Sequence, residues 1–175
     1  ERADARAAID QALAFTDGLT PKERDWIRAL DQRYDGLSVT PRDPLDRAWA
    51  DALAEMAARY PDDTTVASVY AEALMNTMPW DYWGPNGEAK PDTQAVIASL
   101  EAVMEADPDH PLALHLYIHA LEASSNAAKA ELAADRLANL VPGSGHLLQM
   151  PSNIYFRVCR YQDSALANIR AAEVD

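Results

Sequence analysis

Proline spacing sets the architecture of this chain. Pro108, in EADPDHP, and Pro142, in NLVPGSG, stand 34 residues apart. Each sits in a short polar break between runs whose apolar residues recur at helical spacing. Proline removes a backbone donor and disfavours helix at the residue before it, so each break separates two helices. A 34-residue interval holds two helices of about three to four turns each, with their connections. Pro61, in RYPDD, marks a similar break 47 residues before Pro108, one period plus 13 residues. The surplus equals the length of PWDYWGPNGEAKP, residues 79–91, which reads as an insertion between the two helices of one repeat. A fixed period of this size belongs to architectures in which each unit packs on its neighbours along the chain.

Local signals place the helices. In GLTPKERDWIRAL, Thr20 stands as N-cap, Pro21 at the first helical position and Glu23 as capping-box partner, predicting a helix over 21–34. RDPLDRAWADALAEMAARYPDD starts a second helix near Pro44 and ends it before Pro61, with Leu45, Trp49, Leu53, Met56 and Tyr60 at helical spacing. TTVASVYAEALMNTM is a third, ending before Pro79. KPDTQAVIASLEAVMEADPDH is a fourth, with Val96, Leu100 and Val103 on one face. HPLALHLYIHALEAS and NAAKAELAADRLANLVP follow, then PSNIYFRVC and DSALANIRAAEVD; residues 2–15 supply one more at the start. Pro151 falls inside the last repeat's first helix, which predicts a short turn over 146–150, a break, and a regular helix from Pro151. Alanine and leucine are abundant and only 6 glycines are present, which favours helix throughout. No segment reads as a strand.

The repeats share a small/large pattern. VYAEAL, LYIHAL and IYFRVCRYQDSALANIRA occupy equivalent positions after Pro61, Pro108 and Pro142. In period and in this pattern the chain resembles the tetratricopeptide repeat family. Cys159 stands where that family usually has Gly and Ser164 where it has Ala, and both are small enough for close helix packing. The family's early Trp and its Leu-Gly pair are absent from all repeats. The resemblance covers residues 44–175, and residues 1–43 fit as a degenerate repeat and cap. It implies an all-α, tetratricopeptide-like α-α superhelix, a solenoid of about four helical hairpins. The implied organisation is a single domain over 1–175, with repeat helices at 44–78, 92–142 and 143–175 and the aromatic insertion loop at 79–91. It further implies that ligands meet a concave wall of first helices.

On that register, Leu116, Tyr117, Ala120 and Leu121 face inward. His115, His119 and Glu122 share the remaining stripe, at spacings of four and three. The matching stripe of the preceding repeat is Thr65, Ser68, Glu72 and Met75. That of the following repeat is His146, Gln149, Asn153 and Arg157. Glu72, His115, His119, Glu122, His146, Gln149 and Asn153 are thus expected around one groove, with three of the chain's 4 histidines. Three readings stand. The histidines line the groove and hydrogen-bond one another, Tyr117 or Tyr155. The groove takes a peptide or small organic ligand. Or His115, His119 and His146 chelate a divalent transition metal such as zinc, completed by Glu122 or Glu72. The metalloprotease motif needs Glu directly after its first His, and Leu116 occupies that place, which disfavours hydrolysis by that route.

The insertion adds Trp80, Tyr82 and Trp83, three large rings that serve either as binding anchors or as a compact plug. A lid over the histidines would satisfy both roles and bring Asp81 to the site; Trp80 and Trp83 therefore count among the ligand-binding candidates. Cys159 reads as a packing residue, and Asp62 and Asp63 as capping groups. There is no phosphate-binding glycine loop and no nucleophile elbow.

Net charge, −13 over 175 residues, repels nucleic acid and anionic membrane and leaves neutral or basic partners. With one cysteine there is no internal disulfide. No apolar run approaches the ~20 residues of a membrane span. The start, ERADARAAID, is amphipathic rather than signal-like, consistent with a trimmed chain, so both a cytoplasmic location and export after loss of a targeting segment stay open. The expected function is a binding or scaffold module, not an enzyme, that recognises a protein, peptide or small ligand without a cofactor. The alternative is a metal-binding protein or metal-dependent enzyme built on His115, His119 and His146. Homo-oligomers are a further expectation, because solenoid ends without polar caps self-associate.

Overall fold

A computed structural model describes residues 2–37 and 40–174. The described residues form two compact units, one ending at Thr77 and the other beginning at Met78. Residues 38 and 39 of the expected cap, and the last residue of the expected final helix, lie outside the described set.

The first unit holds α1 (Arg2–Ala14), α2 (Pro21–Arg33), α3 (Arg42–Arg59) and α4 (Thr64–Asn76). The capping box at α2 forms as its sequence predicts. The Glu23 amide donates to the Thr20 hydroxyl at 3.3 Å, and the Thr20 amide donates to the Glu23 carboxylate at 2.7 Å. Asp63 starts α4 by accepting from the Val66 amide at 3.0 Å. Helix α3 begins two residues before Pro44, because a proline inside the first turn lacks a donor that the helix would not use there. Trp49, Leu53 and Met56 are buried as their spacing predicts, whereas Leu45 and Tyr60, at the two ends of that stripe, are half-buried. On α4, Ser68 and Met75 are buried, and the Ser68 hydroxyl donates to the Thr64 carbonyl at 2.8 Å. Two of the four residues expected on that groove stripe are therefore core. Thr65 is exposed and Glu72 half-buried.

In the second unit the chain first makes a tight reversal. The Gly87 amide donates to the Gly84 carbonyl at 2.9 Å across Pro85-Asn86, and Gly87 takes the left-handed conformation (φ 82°) that closes such a turn at no steric cost. Helices α5 (Thr93–Ala106) and α6 (Pro111–Leu121) follow and pack together. His110 caps α6, its Nδ1 accepting from the Ala113 amide at 3.3 Å, ahead of Pro111 at the first helical position. The single helix expected over NAAKAELAADRLANLVP is instead a 3-10 turn, Ala127–Ala130, running into α7 (Glu131–Leu137). Its start is delayed by Ser124, whose hydroxyl donates to the Leu121 carbonyl and accepts from the Asn126 amide, a local bonding pattern that competes with helix.

Then come α8 (Gly145–Gln149), α9 (Pro151–Arg157) and α10 (Tyr161–Ala172). The short turn before Pro151 and the regular helix from Pro151 are both present as expected, with Met150 standing between α8 and α9. Met150 stays helical at φ −49°, ψ −42°, with Pro151 at the first position of α9. Proline costs one ladder bond there without redirecting the chain. Val96, Leu100, Leu114, Ile118, Leu121, Leu137 and Ile154 form the heart of this unit's core. Among the described residues there is no strand, only an isolated bridge between Trp83 and Ala89, and no helix is long and apolar enough to cross a membrane.

Candidate functional site

Helix α6 is apolar almost all round. Ala113, Leu114, Leu116, Tyr117, Ile118, Ala120 and Leu121 are buried, so beyond Pro111 the residues with access to solvent are Leu112, His115, His119 and, at the C-cap, Glu122. The two histidines are a turn apart, with ring centroids 4.7 Å from each other. The third comes from α8, where Ser144 caps the helix start and presents His146 in its first turn. The His146 ring lies 5.0 Å from that of His115 and 6.2 Å from that of His119. The Nε2 atoms of His115 and His146 are 3.1 Å apart. One ring nitrogen from each of the three lies within 4.8 Å of the others.

A chain of polar contacts runs on from this cluster. His119 Nδ1 is 3.1 Å from Glu122 Oε1, and Glu122 Oε2 accepts from Asn153 Nδ2 at 2.5 Å. Asn153 Oδ1 in turn accepts from Gln149 Nε2 at 2.9 Å, and the same Gln149 amide reaches the Ser152 hydroxyl at 3.0 Å. Glu122 thus joins α6 to α9. A carboxylate only accepts, so in neutral His119 the proton sits on Nδ1 and the lone pair on Nε2. Burial, and then the neighbouring His119 and His146, push His115 down from 6.5 to about 4, with Glu122 opposing. At neutral pH His115 is uncharged, and its contact with His146 pairs one N–H with one lone pair. The tyrosines take no part. Tyr117 donates to Glu101 at 2.7 Å and Tyr155 to Asp135 at 2.9 Å, and burial together with those carboxylates raises both phenols.

The aromatic segment is attached to the same helix. Trp83 Nε1 donates to the Ala120 carbonyl at 2.7 Å, and that carbonyl belongs to the last turn of α6, where no helical partner exists. Tyr82 is buried, and its carbonyl accepts from the Thr93 hydroxyl at 2.6 Å. Trp80 is 73% exposed, yet its ring meets His119 edge-on at 5.0 Å, and its backbone is left-handed at φ 62°, a strained conformation for an aromatic residue. Asp81 is bonded to Lys90. Two of the three rings therefore anchor the segment, and Trp80 alone stands against the histidines. Replacing Trp83 by Phe keeps one aromatic six-membered ring but removes the pyrrole half of the indole and with it the hydrogen bond to Ala120. The expected loss is about 1 kcal/mol in unfolding free energy, read by urea denaturation.

Beside the histidines, Glu122, Gln149 and Asn153 also line an open cleft of about 580 Å³, with Phe156, Arg157 and Asn168. Phe156 is 63% exposed there, and Arg157 Nη2 donates to the Ser124 carbonyl at 2.8 Å. Of the residues expected around one groove, the structure brings together His115, His119, Glu122, His146, Gln149 and Asn153, with Trp80 against them and Trp83 behind. Glu72 belongs to the first unit, on α4.

The first unit has a cleft of its own, about 540 Å³, between α2 and α3, with Asp25 and Arg59 on its walls. The sequence reading did not single out Asp25. Burial works to raise its carboxyl, but the Tyr60 hydroxyl, donating at 2.8 Å, and the Arg59 guanidinium outweigh that and hold it below the usual range. A signal was present: Asp25 precedes buried Ala29 by four, which puts it on the packed face of α2.

No protein-family model matches the chain, and no curated protein is detectably similar to it. Among solved structures, a point mutant of MamA superposes with a TM-score of 0.56 at 15% identity, covering 99% of this chain and 97% of that one. MamA MSR-1 gives 0.55 at 17%, covering 99% and 96%. The fold is all-α and tetratricopeptide-like. MamA is a helical solenoid of this type, and the likeness extends over nearly the whole chain, including the first 43 residues, which lack the repeat pattern.

Proposed function

We propose that this chain is a protein-interaction module of the tetratricopeptide type. Its contact surface is the face of the second unit built from Glu122, Gln149, Asn153 and the three histidines. The observation that carries this reading is the gathering of these side chains beside an open 580 Å³ cleft with an exposed Phe156 at its edge. Asn and Gln amides offer a donor and an acceptor together, which matches the backbone of an extended peptide. Phe156 supplies the apolar anchor that such interfaces need. The net charge of −13 favours a neutral or basic segment over an acidic one. Trp80 stands at the rim as a second aromatic contact.

Peptides selected from a random library against the full chain in EDTA test this. Those recovered are expected to bind with Kd on the order of 1–100 µM, and to lose at least about tenfold in affinity against Asn153→Arg, about 1.4 kcal/mol. Peptides that bind wild type and Asn153→Arg equally, as read by fluorescence polarisation, would place the contact surface elsewhere.

A further inference from the structure

We infer that His115, His119 and His146 form a three-imidazole site for a divalent transition ion of the zinc class. This goes beyond peptide recognition and does not depend on it. The first support is distance. Two imidazole nitrogens bound to one tetrahedral ion at about 2.0–2.1 Å each stand about 3.4 Å apart. His115 and His146 already present Nε2 atoms 3.1 Å apart. The whole triad fits within 4.8 Å, so closing on an ion asks for a contraction of at most about 1.5 Å, within the reach of small side-chain rotations.

The second support is the arrangement behind the rings. A metal-bound histidine characteristically gives its other N–H to a carboxylate, which sets the ring's orientation and raises its basicity. Glu122 stands in that relation to His119, at 3.1 Å from Nδ1, and Asn153 holds the other oxygen of Glu122. The His119 lone pair is thereby assigned to Nε2. Glu122 acts as a positioning residue rather than a ligand, and this revises the sequence-based expectation that it would complete the shell.

The third support is the origin of the ligands. His115 and His119 come from adjacent turns of one well-packed helix, while His146 comes from α8 and is exposed. Two donors are pre-positioned and the third approaches from the solvent side, which provides an entry path. Three imidazoles suit zinc, copper and nickel better than magnesium or calcium, which prefer oxygen. A four-coordinate ion held by three protein ligands keeps one position for water or for a donor from a bound molecule.

The test uses the full chain stripped with EDTA and then titrated with Zn²⁺ by calorimetry, and with Co²⁺ for its visible d–d absorption. Wild type is expected to take up one ion per chain and to give the absorption of four-coordinate cobalt. His115→Ala, His119→Ala and His146→Ala should each abolish stoichiometric uptake. Glu122→Gln should retain stoichiometry with about 10–100-fold weaker binding. His110→Ala, which alters only the α6 cap, should bind as wild type. His146→Ala guards against a folding artefact, because its side chain is exposed and circular dichroism should be unchanged. Absence of one-to-one binding in wild type, or uptake by His146→Ala equal to wild type, overturns the inference. The peptide selection is run in EDTA, so failure of this site leaves that result standing, and the converse holds too.

Discussion

Leu114→Ala is expected to lower the free energy of unfolding by about 3 kcal/mol, within the ~2–5 kcal/mol typical of a fully buried leucine. Leu114 is 1% exposed and lies on α6, among buried residues on both sides of its turn. Part of the loss is the transfer free energy of the missing methyl groups. The rest is the cavity, which a helix packed against both α5 and α7 cannot collapse to fill. The effect should appear as a lower urea midpoint with an unchanged slope, since the surface exposed on unfolding is nearly the same. Leu132→Ala, on α7, is the matched control. That side chain is 61% exposed, and the change should stay within about 0.5 kcal/mol. Equal effects from the two substitutions would contradict the packing described for α6. Because Leu114 adjoins His115, a loosened α6 should also weaken Zn²⁺ uptake.

The helices were legible from local signals. Thr20, Glu23 and Asp63 act through bonds three residues along the chain, and Pro21 through its own fixed φ and missing donor; such short-range chemistry is written in the sequence itself. The stripe Val96, Leu100 and Val103 is buried on one face for the same reason. Legibility ended where a side chain redirects its own backbone. Ser124 converts the head of an expected helix into a turn and a 3-10 segment. At Pro151 the reading held: a short helix ends at Gln149 and a new one starts at Pro151, although Met150 between them keeps a helical backbone.

The site followed the same division. The 34-residue register carried His146, Gln149 and Asn153 to the face of α6 that bears His115 and His119, because helical repeats bring equivalent positions side by side. What the register did not contain was Trp80 against His119, Trp83 bonded to the Ala120 carbonyl, or Asp81 taken by Lys90. Those depend on how an insertion folds, and an insertion has no repeat partner to supply its position.

Acid should weaken this protein in a window set by His115. In the folded chain the imidazole titrates near 4, because burial and the approach of His119 and His146 disfavour its charge, with Glu122 acting in the opposite direction. In the unfolded chain it titrates near 6.5. Above that value the residue is neutral in both states and contributes no pH dependence. As pH falls from 6.5 towards 4, the unfolded chain takes up a proton that the folded chain refuses, so stability drops; below 4 both states are protonated and this contribution levels off. A gap of this size corresponds to about 3.4 kcal/mol at most, and to less than that because the His115 ring is only half-buried and partly screened by solvent. Carboxylates such as Asp25 and Asp63, held low by their partners, weaken the fold only further down, as pH drops below their own unfolded values near 4. The two contributions are therefore separable. Urea midpoints measured in EDTA at several pH values should decline between 6.5 and 4 for wild type, and His115→Gln should flatten that limb while leaving the more acidic one in place. The same decline in both proteins would show that His115 is not the group responsible. Zn²⁺ should deepen the wild-type decline, since an ion bound only by the folded state stabilises it at neutral pH and is displaced by protons as the imidazoles charge.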